Sequence, residues 1–433
     1  HPERSEGSLM LQVESKFITN QEGEKTMANL AINGGSPVRT APFPQWPQGG
    51  EAEMLQLEKV LKAEQWGTLG KEALAFAEKF AQYIGVKHGI CVNNGTVSLE
   101  LILRGLDIGY GDEVIVPPYT FISTASAVAI AGATPVFADI ENGTYNIDPA
   151  SMEANITANT KAVIAVHAGG RPCDMDRIME IAKKHGIYVI EDCAQAHGSQ
   201  WKGKKLGSIG HASSFSFQAS KNVSCGEGGA IMTDDYEFFK KFWHYHNSGR
   251  AYEQAGELSG LMLMGANSRL PEWQAAVLTV QLDKLEEQIE RRMENAEYLN
   301  AGLKQFDFIK FLDTDDNITR NTYHLYIMKY ISENLKGIKR ERFISAMKAE
   351  GIPCSRGYVP LYKMNAFSTP NFRKSTGSNT DYSSIHLENT EKACNEEALW
   401  MQGSMLLGSK RDMDDILEAM EKISCYYKRG SLL

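Results

Sequence analysis

The chain has 433 residues, 42% of them hydrophobic and 23% charged, which is the composition of a globular protein long enough to bury a large core. Its formal net charge is −9 and no basic patch stands out, so a nucleic-acid-binding protein is not expected. Seven cysteines are scattered without a C-x-x-C pair, which argues against a disulfide framework or a structural zinc site and favours a reducing compartment, the cytoplasm.

The N-terminal stretch differs in character from the rest of the chain. Its first 26 residues are polar and charged, and they lack the apolar segment of a signal peptide. We expect residues 1–26 to be a disordered extension or a cloning remnant. Residues 27–290 are expected to form a large domain with an N-terminal segment, and residues 291–433 a small C-terminal domain.

Residues 114–138 carry no charge over a length that would suffice for a membrane-spanning helix. Three prolines interrupt the segment, at positions 117, 118 and 135, and Ser, Thr and Ala are frequent in it. It is therefore predicted to form a strand, a loop, a helix and a strand in a buried core, and no membrane association is expected.

The first half of the chain alternates between helical and strand-like patterns. Helices are predicted at 49–65, 71–84, 97–106, the end of 117–132, 149–154 and 175–185. Strands are predicted at 89–92, 113–116, 134–137, 161–166, 187–190 and 213–217. This alternation predicts an α/β fold with a mostly parallel sheet covered by helices on both faces. Ligands of such sheets bind at the carboxyl ends of the strands.

The second half begins with helical patterns and then changes. A helix is predicted at 234–247, and a long one from Glu272 to about Gln305 is interpreted as the bridge between the domains. The long helix carries an apolar stripe of Leu282, Leu285, Ile289 and Met293. A strand (322–330), a helix (339–350), a strand and loop (351–362), a mobile polar loop (371–385) and a helix–loop–helix (389–426) then predict a small α+β domain.

Two strand ends carry residues of opposite charge. The strand 187–190 is followed by Glu191 and Asp192, and the strand 213–217 leads to Lys221 and a glycine-rich turn at 226–229. Pyridoxal phosphate (PLP) chemistry needs this pairing, because a lysine holds the aldehyde as a Schiff base and a carboxylate keeps the pyridine nitrogen protonated. Taken alone, the two residues are more simply explained as a solvated surface pair.

A second feature lies at the start of the helix 97–106. The preceding sequence, Asn-Asn-Gly-Thr at 93–96, follows a strand and opens the helix. Backbone N–H groups at such a helix start favour a phosphate, while an Asn that only caps the helix is the commoner explanation.

The segment IEDCAQAHGSQWKGKKLGSIGHASSFSF-x-x-x-KN-x-x-x-GEGG resembles the DegT/StrS-type sugar aminotransferases. These are PLP enzymes with the aspartate-aminotransferase fold, called fold type I. The resemblance extends from about Gly34 to about Ile423, nearly the whole chain, through several separated motifs in the same order. It implies an α/β large domain with a smaller α+β C-terminal domain, and PLP as the cofactor.

The resemblance also implies roles for individual residues. Lys221 is the Schiff-base lysine and proton shuttle, and Asp192 pairs with the ring nitrogen. The other implied cofactor contacts are Gly95, Thr96 and Ser216 with the phosphate, Phe121 with the ring face, and Gln195, at a position where many relatives carry His, with the 3′ oxygen. Asn267 matches an Asn that reaches the phosphate of the neighbouring subunit, so a homodimer with shared active sites is expected.

The implied reaction transfers an amino group from Glu or Gln to a keto-sugar, often nucleotide-linked, or to a keto-cyclitol. Gln218 is shared with aminotransferases that make cyclitol amines, which favours a free cyclitol or sugar-like ketone. Further substrate candidates are His167 and three arginines, Arg250, Arg269 and Arg356, among which the sequence does not choose a partner for the donor carboxylate.

A metal site and two different functions agree less well with the sequence. The histidines at 167, 197 and 211 fit no zinc pattern, so no metal is expected. A sugar dehydratase of the same fold would carry His in place of Lys221. A non-catalytic PLP-binding regulator remains the alternative outside catalysis, although the intact Lys221, Asp192 and phosphate motif argue against it.

Overall fold

The computed structural model describes residues 18–19, 25–26, 29–67, 70–252 and 263–429. The predicted disordered extension at 1–26 therefore lies mostly outside the described residues. Within it, Ile18–Thr19 and Lys25–Thr26 pair as two short antiparallel strands.

A seven-stranded sheet forms the centre of the molecule. Its strands are β1 (His88–Val92), β2 (Glu113–Val116), β3 (Thr134–Phe137), β4 (Thr160–Val166), β5 (Tyr188–Asp192), β6 (Ala212–Ser216) and β7 (Gly229–Thr233). Their order across the sheet is β1-β7-β6-β5-β4-β2-β3. Every pairing is parallel except the two made by β7, so the predicted mostly parallel sheet is confirmed.

Helices cover both faces of this sheet. They are α1 (Glu51–Ala63), α2 (Glu72–Ile84), α3 (Gly95–Gly105), α4 (Ser123–Ile130), α5 (Pro149–Ala154), α6 (Met175–His185), α7 (Tyr236–His246), α8 (Glu272–Asp283) and α9 (Leu285–Leu303). Side chains alternate between the faces of a strand, so Ile115 packs in one apolar core with α2, α6 and α8. Its neighbours Val114 and Val116 pack in the other, with α3, α4 and α7.

The C-terminal part has its own sheet and core. Its strands are β8 (Ile309–Phe311), β9 (Leu325–Tyr330) and β10 (Ala398–Gln402), which pair antiparallel in that order. Its helices are α10 (Arg340–Ala349), α11 (Pro370–Thr376), α12 (Glu388–Lys392) and α13 (Lys410–Arg429). A separate small sheet joins Gln200–Trp201, Lys204–Lys205 and Ile318–Arg320.

The long bridging helix predicted from Glu272 to about Gln305 is two helices, α8 and α9, interrupted at Lys284. At the interruption the Lys284 ammonium forms an ion pair with Glu53 of α1, a helix that packs against α8. The first turns of α9 pack in a core of the large part through Ile289, and its later turns pack in the C-terminal core through Leu299. We propose that the domain boundary lies here, close to the expected 290/291.

The segment 371–385 is not the mobile loop that its polar composition predicted. It contains α11 and a short 3₁₀ turn, Tyr382–Ser384, and it packs on the central sheet. Phe372 and Tyr382 are buried, and the Tyr382 hydroxyl donates to the Pro135 carbonyl at 2.8 Å. Widely spaced aromatic residues hold the segment in place while most of its polar residues face solvent, Thr376 and Ser378 being buried.

In the two main sheets, three strands were not expected from the sequence: β7, β8 and β10. The short strands outside these sheets were not expected either. The strand expected within 351–362 is reduced to an isolated bridge between Ser355 and Trp400. β8 has only three residues, and β7 begins inside the glycine-rich turn at 226–229, which obscures its strand pattern. Among the described helices, none has the length and apolar character needed to cross a membrane.

Candidate active site

A cavity of about 690 Å³ lies at the carboxyl ends of the parallel strands. Asp192 at the end of β5, Ser216 at the end of β6 and Gly95 at the start of α3 all line it. Lys221 lines it from the loop after β6. The fold thus brings these four residues together, although Gly95 and Lys221 lie 126 positions apart in the chain.

Two hydrogen bonds fix the backbone of Lys221, and they do not involve its side chain. Its N–H donates to the Gln218 carbonyl at 2.8 Å, and its carbonyl accepts from the Trp46 indole at 3.1 Å. Among the described residues, the ammonium has no hydrogen-bond or ion-pair partner. Burial lowers the pKa of Lys221 and the Asp192 carboxylate opposes that shift, so the net pKa is below the ordinary value. A lysine in this state is suited to forming a covalent bond with an aldehyde.

Asp192 is a buried acid with two protein donors. Thr124 Oγ1 donates to Oδ2 at 2.9 Å and the Ala194 N–H donates to Oδ1 at 3.2 Å. Burial raises the pKa of Asp192, and these two donors and Lys221 only partly offset it. No cation forms an ion pair with it among the described residues, so a protonated ring nitrogen would supply the missing partner. Thr124 was not foreseen, although it stands only three residues after Phe121.

Glu191, the neighbouring acid, lies outside the cavity, as strand alternation requires. It is fully buried and accepts hydrogen bonds from the N–H groups of Gly207, Ile209 and Gly210 at 2.7–2.9 Å. Burial raises its pKa, but these bonds and the contact with His167 outweigh burial and the net pKa is lowered. Glu191 therefore anchors the turn 207–210.

His167, expected as a substrate residue, belongs to this anchor and does not line the cavity. It is fully buried, its Nδ1 accepts from the Cys173 N–H at 3.1 Å, and its Nε2 faces Glu191 at 3.2 Å. Together with Cys193 these two side chains bring possible metal-ligand atoms within 4.8 Å of one another. Hydrogen bonds already occupy both ring nitrogens and the carboxylate, which identifies the group as a structural one.

The start of α3 combines the two roles considered for it. Asn94 caps the helix, because its Oδ1 accepts from the Val97 N–H at 2.9 Å. Gly95, Thr96 and Ser216 meanwhile line the cavity beside the positive end of the helix. A Cβ on Gly95 would lie 2.8 Å from the Ser216 Cβ, so only glycine lets the two segments approach this closely. N–H groups and hydroxyls gathered here fit a phosphate.

Two further cofactor candidates line the same cavity. Phe121 is 59% exposed, so its ring is available for stacking and is not part of a core. Gln195 is buried at the cavity wall, where its side chain contacts Gly169 and Tyr358. Together with an unpaired lysine, a buried acid without a cation and a phosphate-type helix start, these residues fit PLP.

Gln218 lines the cavity as well, and its Oε1 accepts from the N–H and hydroxyl of Ser220, both at 2.8 Å. Its amide NH₂ therefore remains available to a ligand. The cavity also contains residues from the C-terminal part that sequence reasoning missed: His324, Leu325, Tyr358, Trp400 and Gln402. They come from strands and loops more than 100 residues after Lys221, and no local motif marks them.

Besides His167, four of the predicted residues do not line the cavity within this chain. Asn267 is exposed, and Arg356 is exposed on the loop before Tyr358. Arg269 donates to the Asn247 Oδ1 at 2.9 Å, and Arg250 is half-buried in the same region. The choice of an arginine for the donor carboxylate thus stays open.

Comparison with known proteins identifies the family. A model described as the DegT/DnrJ/EryC1/StrS aminotransferase family matches residues 47–420. The chain is 37% identical to a putative L-glutamine:3-amino-2,3-dideoxy-scyllo-inosose aminotransferase of Streptoalloteichus tenebrarius, covering 92% of this chain and 98% of that one. It is 36% identical to an L-glutamine:2-deoxy-scyllo-inosose aminotransferase of the same organism, covering 91% and 97%.

The fold is matched by solved structures too. The X-ray structure of the aminotransferase from Psychrobacter cryohalolentis superposes with a TM-score of 0.82 at 32% identity, covering 90% of this chain and all of that one. The predicted fold type I architecture, the aminotransferase activity and the PLP cofactor are thereby confirmed.

Proposed function

Because the chain belongs to the DegT/DnrJ/EryC1/StrS aminotransferase family and depends on PLP, we propose that it transfers the amino group of L-glutamine to a keto-cyclitol of the scyllo-inosose type. The relatives that support this substrate pair are the two from Streptoalloteichus tenebrarius, which are named for that donor and that class of acceptor.

The charge of the cavity is the observation that carries the choice of acceptor. Among the described residues that line it, Lys221 is the only cation, whereas Glu100, Asp192 and Glu227 are acids. Burial holds the pKa of His324 well below its ordinary value, so this residue is neutral. A nucleotide-linked sugar would bring a diphosphate, which proteins usually bind through Arg or Lys. A free cyclitol, rich in hydroxyls and without negative charge, suits this lining better.

When bound, the cofactor supplies an electron sink and carries the amino group between donor and acceptor. Lys221 would hold it covalently and then act as the base and acid at the substrate carbon, since its lowered pKa increases the neutral fraction of the amine. Asp192, positioned by Thr124 and the Ala194 N–H, would keep the proton on the ring nitrogen. The start of α3 and Ser216 would bind the phosphate.

A direct assay tests the substrates. The purified enzyme with PLP is given L-glutamine and 2-deoxy-scyllo-inosose, and the aminocyclitol is measured by mass spectrometry. L-glutamate, a nucleotide-linked keto-sugar and pyruvate serve as comparisons. A site built to hydrogen-bond hydroxyls should disfavour pyruvate by about 10⁴-fold. Faster turnover of the nucleotide-linked sugar or of pyruvate would refute the cyclitol proposal.

We also propose a cytoplasmic homodimer. Asn267 lies exposed and outside the cavity of its own chain, which agrees with a role at a partner's site. All seven cysteines are free thiols, which agrees with a reducing compartment. Size measurement by light scattering tests the dimer.

A further inference from the structure

Tyr358 carries a hydroxyl group whose direction follows from the hydrogen bonds around Gln195. Gln195 Oε1 lies 2.7 Å from the Gly169 backbone nitrogen, and Gln195 Nε2 lies 2.7 Å from the Tyr358 oxygen. A backbone N–H can only donate, so the amide atom that faces Gly169 must be the oxygen. The orientation of the amide is therefore set by chemistry and not by convention.

The same reasoning extends to the tyrosine. The amide NH₂ of Gln195 can only donate, so the Tyr358 oxygen accepts this hydrogen bond. Among the described residues, no second partner occupies the hydroxyl, and Tyr358 lines the active-site cavity. Its own hydrogen is thus available to a ligand. Burial raises the pKa of Tyr358 to about 12, which keeps the group protonated, and thus a donor, at neutral pH.

The ring of Tyr358 is fixed on the side away from Gln195. It packs edge-to-face against Trp400 with ring centroids 4.5 Å apart, and against Tyr119 at 5.4 Å. Trp400 is fixed in turn, because its indole N–H donates to the Tyr119 hydroxyl at 2.8 Å. The hydroxyl of Tyr358 therefore has little conformational freedom to lose when a ligand accepts its hydrogen.

The residues fitted to the cofactor above all come from the large part of the chain, between Gly95 and Lys221. Tyr358 belongs to the other set of cavity-lining residues, which come from the C-terminal part and include Trp400 and Gln402. We propose that Tyr358 is a specificity-determining residue that donates a hydrogen bond to one ring hydroxyl of the acceptor. This inference rests on the proposed cyclitol acceptor, whose hydroxyls are the natural partners for such a donor.

The test compares Tyr358→Phe with a matched control, Tyr145→Phe, which removes a hydroxyl from the same aromatic cluster but outside the cavity, where its partner is Glu397. The two half-reactions are measured separately by single-turnover absorbance, one with L-glutamine and one with 2-deoxy-scyllo-inosose. For Tyr358→Phe we expect unchanged PLP content, visible spectrum and donor half-reaction. We expect the acceptor kcat/KM to fall about five- to ten-fold, the effect of one neutral hydrogen bond. Tyr145→Phe should leave both half-reactions unchanged.

A series of acceptors, each lacking one ring hydroxyl, identifies the partner. For one analogue, wild type and Tyr358→Phe should react equally. A second variant, Gln195→Glu, keeps the tyrosine hydroxyl but offers it a carboxylate that takes its hydrogen. The fall in acceptor kcat/KM caused by Gln195→Glu should therefore not add to the fall caused by Tyr358→Phe when the two substitutions are combined.

Three results would overturn the inference. Equal losses in both half-reactions would show a structural role, an altered visible spectrum or PLP affinity would show a contact with the cofactor, and an unchanged acceptor half-reaction would show no contact. Failure of the wild type itself to aminate the cyclitol would instead refute the proposed function, so the two failures are distinguishable.

Discussion

Glu191 and Asp192 are neighbours in the sequence, but their replacement should have different effects. Replacing Glu191 should lower stability, whereas replacing Asp192 should lower the catalytic rate. Glu191 Oε1 accepts from the Ile209 and Gly210 N–H groups, and Oε2 accepts from Gly207 and faces His167 Nε2. His167 Nδ1 accepts from a backbone N–H, so the neutral ring carries its hydrogen on Nε2 and donates as well. In Glu191→Gln the new NH₂ group therefore meets two donors, whichever way the amide is turned.

Each lost hydrogen bond to this buried carboxylate should cost about 1.5–3 kcal/mol, so Glu191→Gln should lower the free energy of unfolding by about 3–6 kcal/mol. Urea denaturation of the cofactor-free protein measures this. Glu58→Gln is the matched control, because Glu58 is 54% exposed in its pair with Lys62 and should contribute at most about 0.5 kcal/mol. The rate per folded, PLP-loaded molecule should stay near that of wild type.

Asp192→Asn should have the opposite profile. The Asn oxygen can still accept from the Ala194 N–H, and the Thr124 hydroxyl can turn to accept from the new NH₂ while donating to Thr120, 3.2 Å away. The Ala194 N–H and the Thr124 hydroxyl therefore both keep an acceptor. Loss of the charge opposite the ring nitrogen should cost about 2–5 kcal/mol in the transition state, a fall in kcat of roughly 30- to 5,000-fold.

The sign of the pH effect on Asp192 follows from its raised pKa. The folded, cofactor-free protein binds this proton more tightly than the unfolded chain, whose pKa is about 3.8, so ionisation reduces stability as the pH rises through the folded pKa. Cofactor-free Asp192→Asn should thus be more stable than wild type at pH 7, with the difference vanishing below about pH 4. Wild-type kcat in Asp192→Asn, or wild-type stability in Glu191→Gln, would contradict these assignments.

Three further predictions concern the cofactor. Lys221→Ala should bind PLP without a covalent link, and borohydride reduction of the wild type followed by peptide mapping should find PLP on Lys221; PLP on another lysine would refute the site. Burial lowers the pKa of Lys221, so the covalent attachment of PLP, measured by absorbance as a function of pH, should have its midpoint below the 10.5 of an ordinary lysine. A midpoint at or above 10.5 would contradict the geometry. Asn267→Ala should weaken PLP retention in dialysis while the dimer and Tm are unchanged, and unaltered PLP affinity would argue against its contribution to a partner's site.

The residues at the strand ends could be predicted because the pattern that marks a parallel strand also shows where the strand ends, and ligands bind at those ends. A continuous apolar run marks β5, the buried strand that ends at Asp192, whereas Ser216 ends the serine-rich strand β6 and Lys221 lies five residues beyond it. Strand alternation then separates Asp192 from Glu191. The predicted boundaries of these strands and of α5 and α6 differ from the structure by two residues at most.

The C-terminal wall of the cavity could not be predicted in the same way. Tyr358 meets Gln195 across 163 positions of sequence, on a loop whose local pattern resembles a strand. Its place is decided by how the small sheet packs against the large part, which is a property of the tertiary fold and not of the segment. The arginine that binds the donor carboxylate stays a prediction for the same reason. The side-chain type indicates a partner for a carboxylate, but burial and neighbours decide which arginine reaches the site.

The two parts of the cavity are joined by buried hydrogen bonds close to Lys221. Ser199 Oγ donates to the Gly170 carbonyl at 2.6 Å and accepts from Thr322, and the Asn222 amide donates to the Thr322 carbonyl at 3.1 Å. Asn222 follows Lys221 in the chain, and Thr322 stands two residues before His324 of the cavity wall. Opening the cavity by rotating the C-terminal part away would exchange these hydrogen bonds for bonds to water, at a net cost of about 0.5–1.5 kcal/mol each. The wall that contains Tyr358 is therefore set before the acceptor arrives, and binding energy that a closing motion would consume remains available for orienting the ketone.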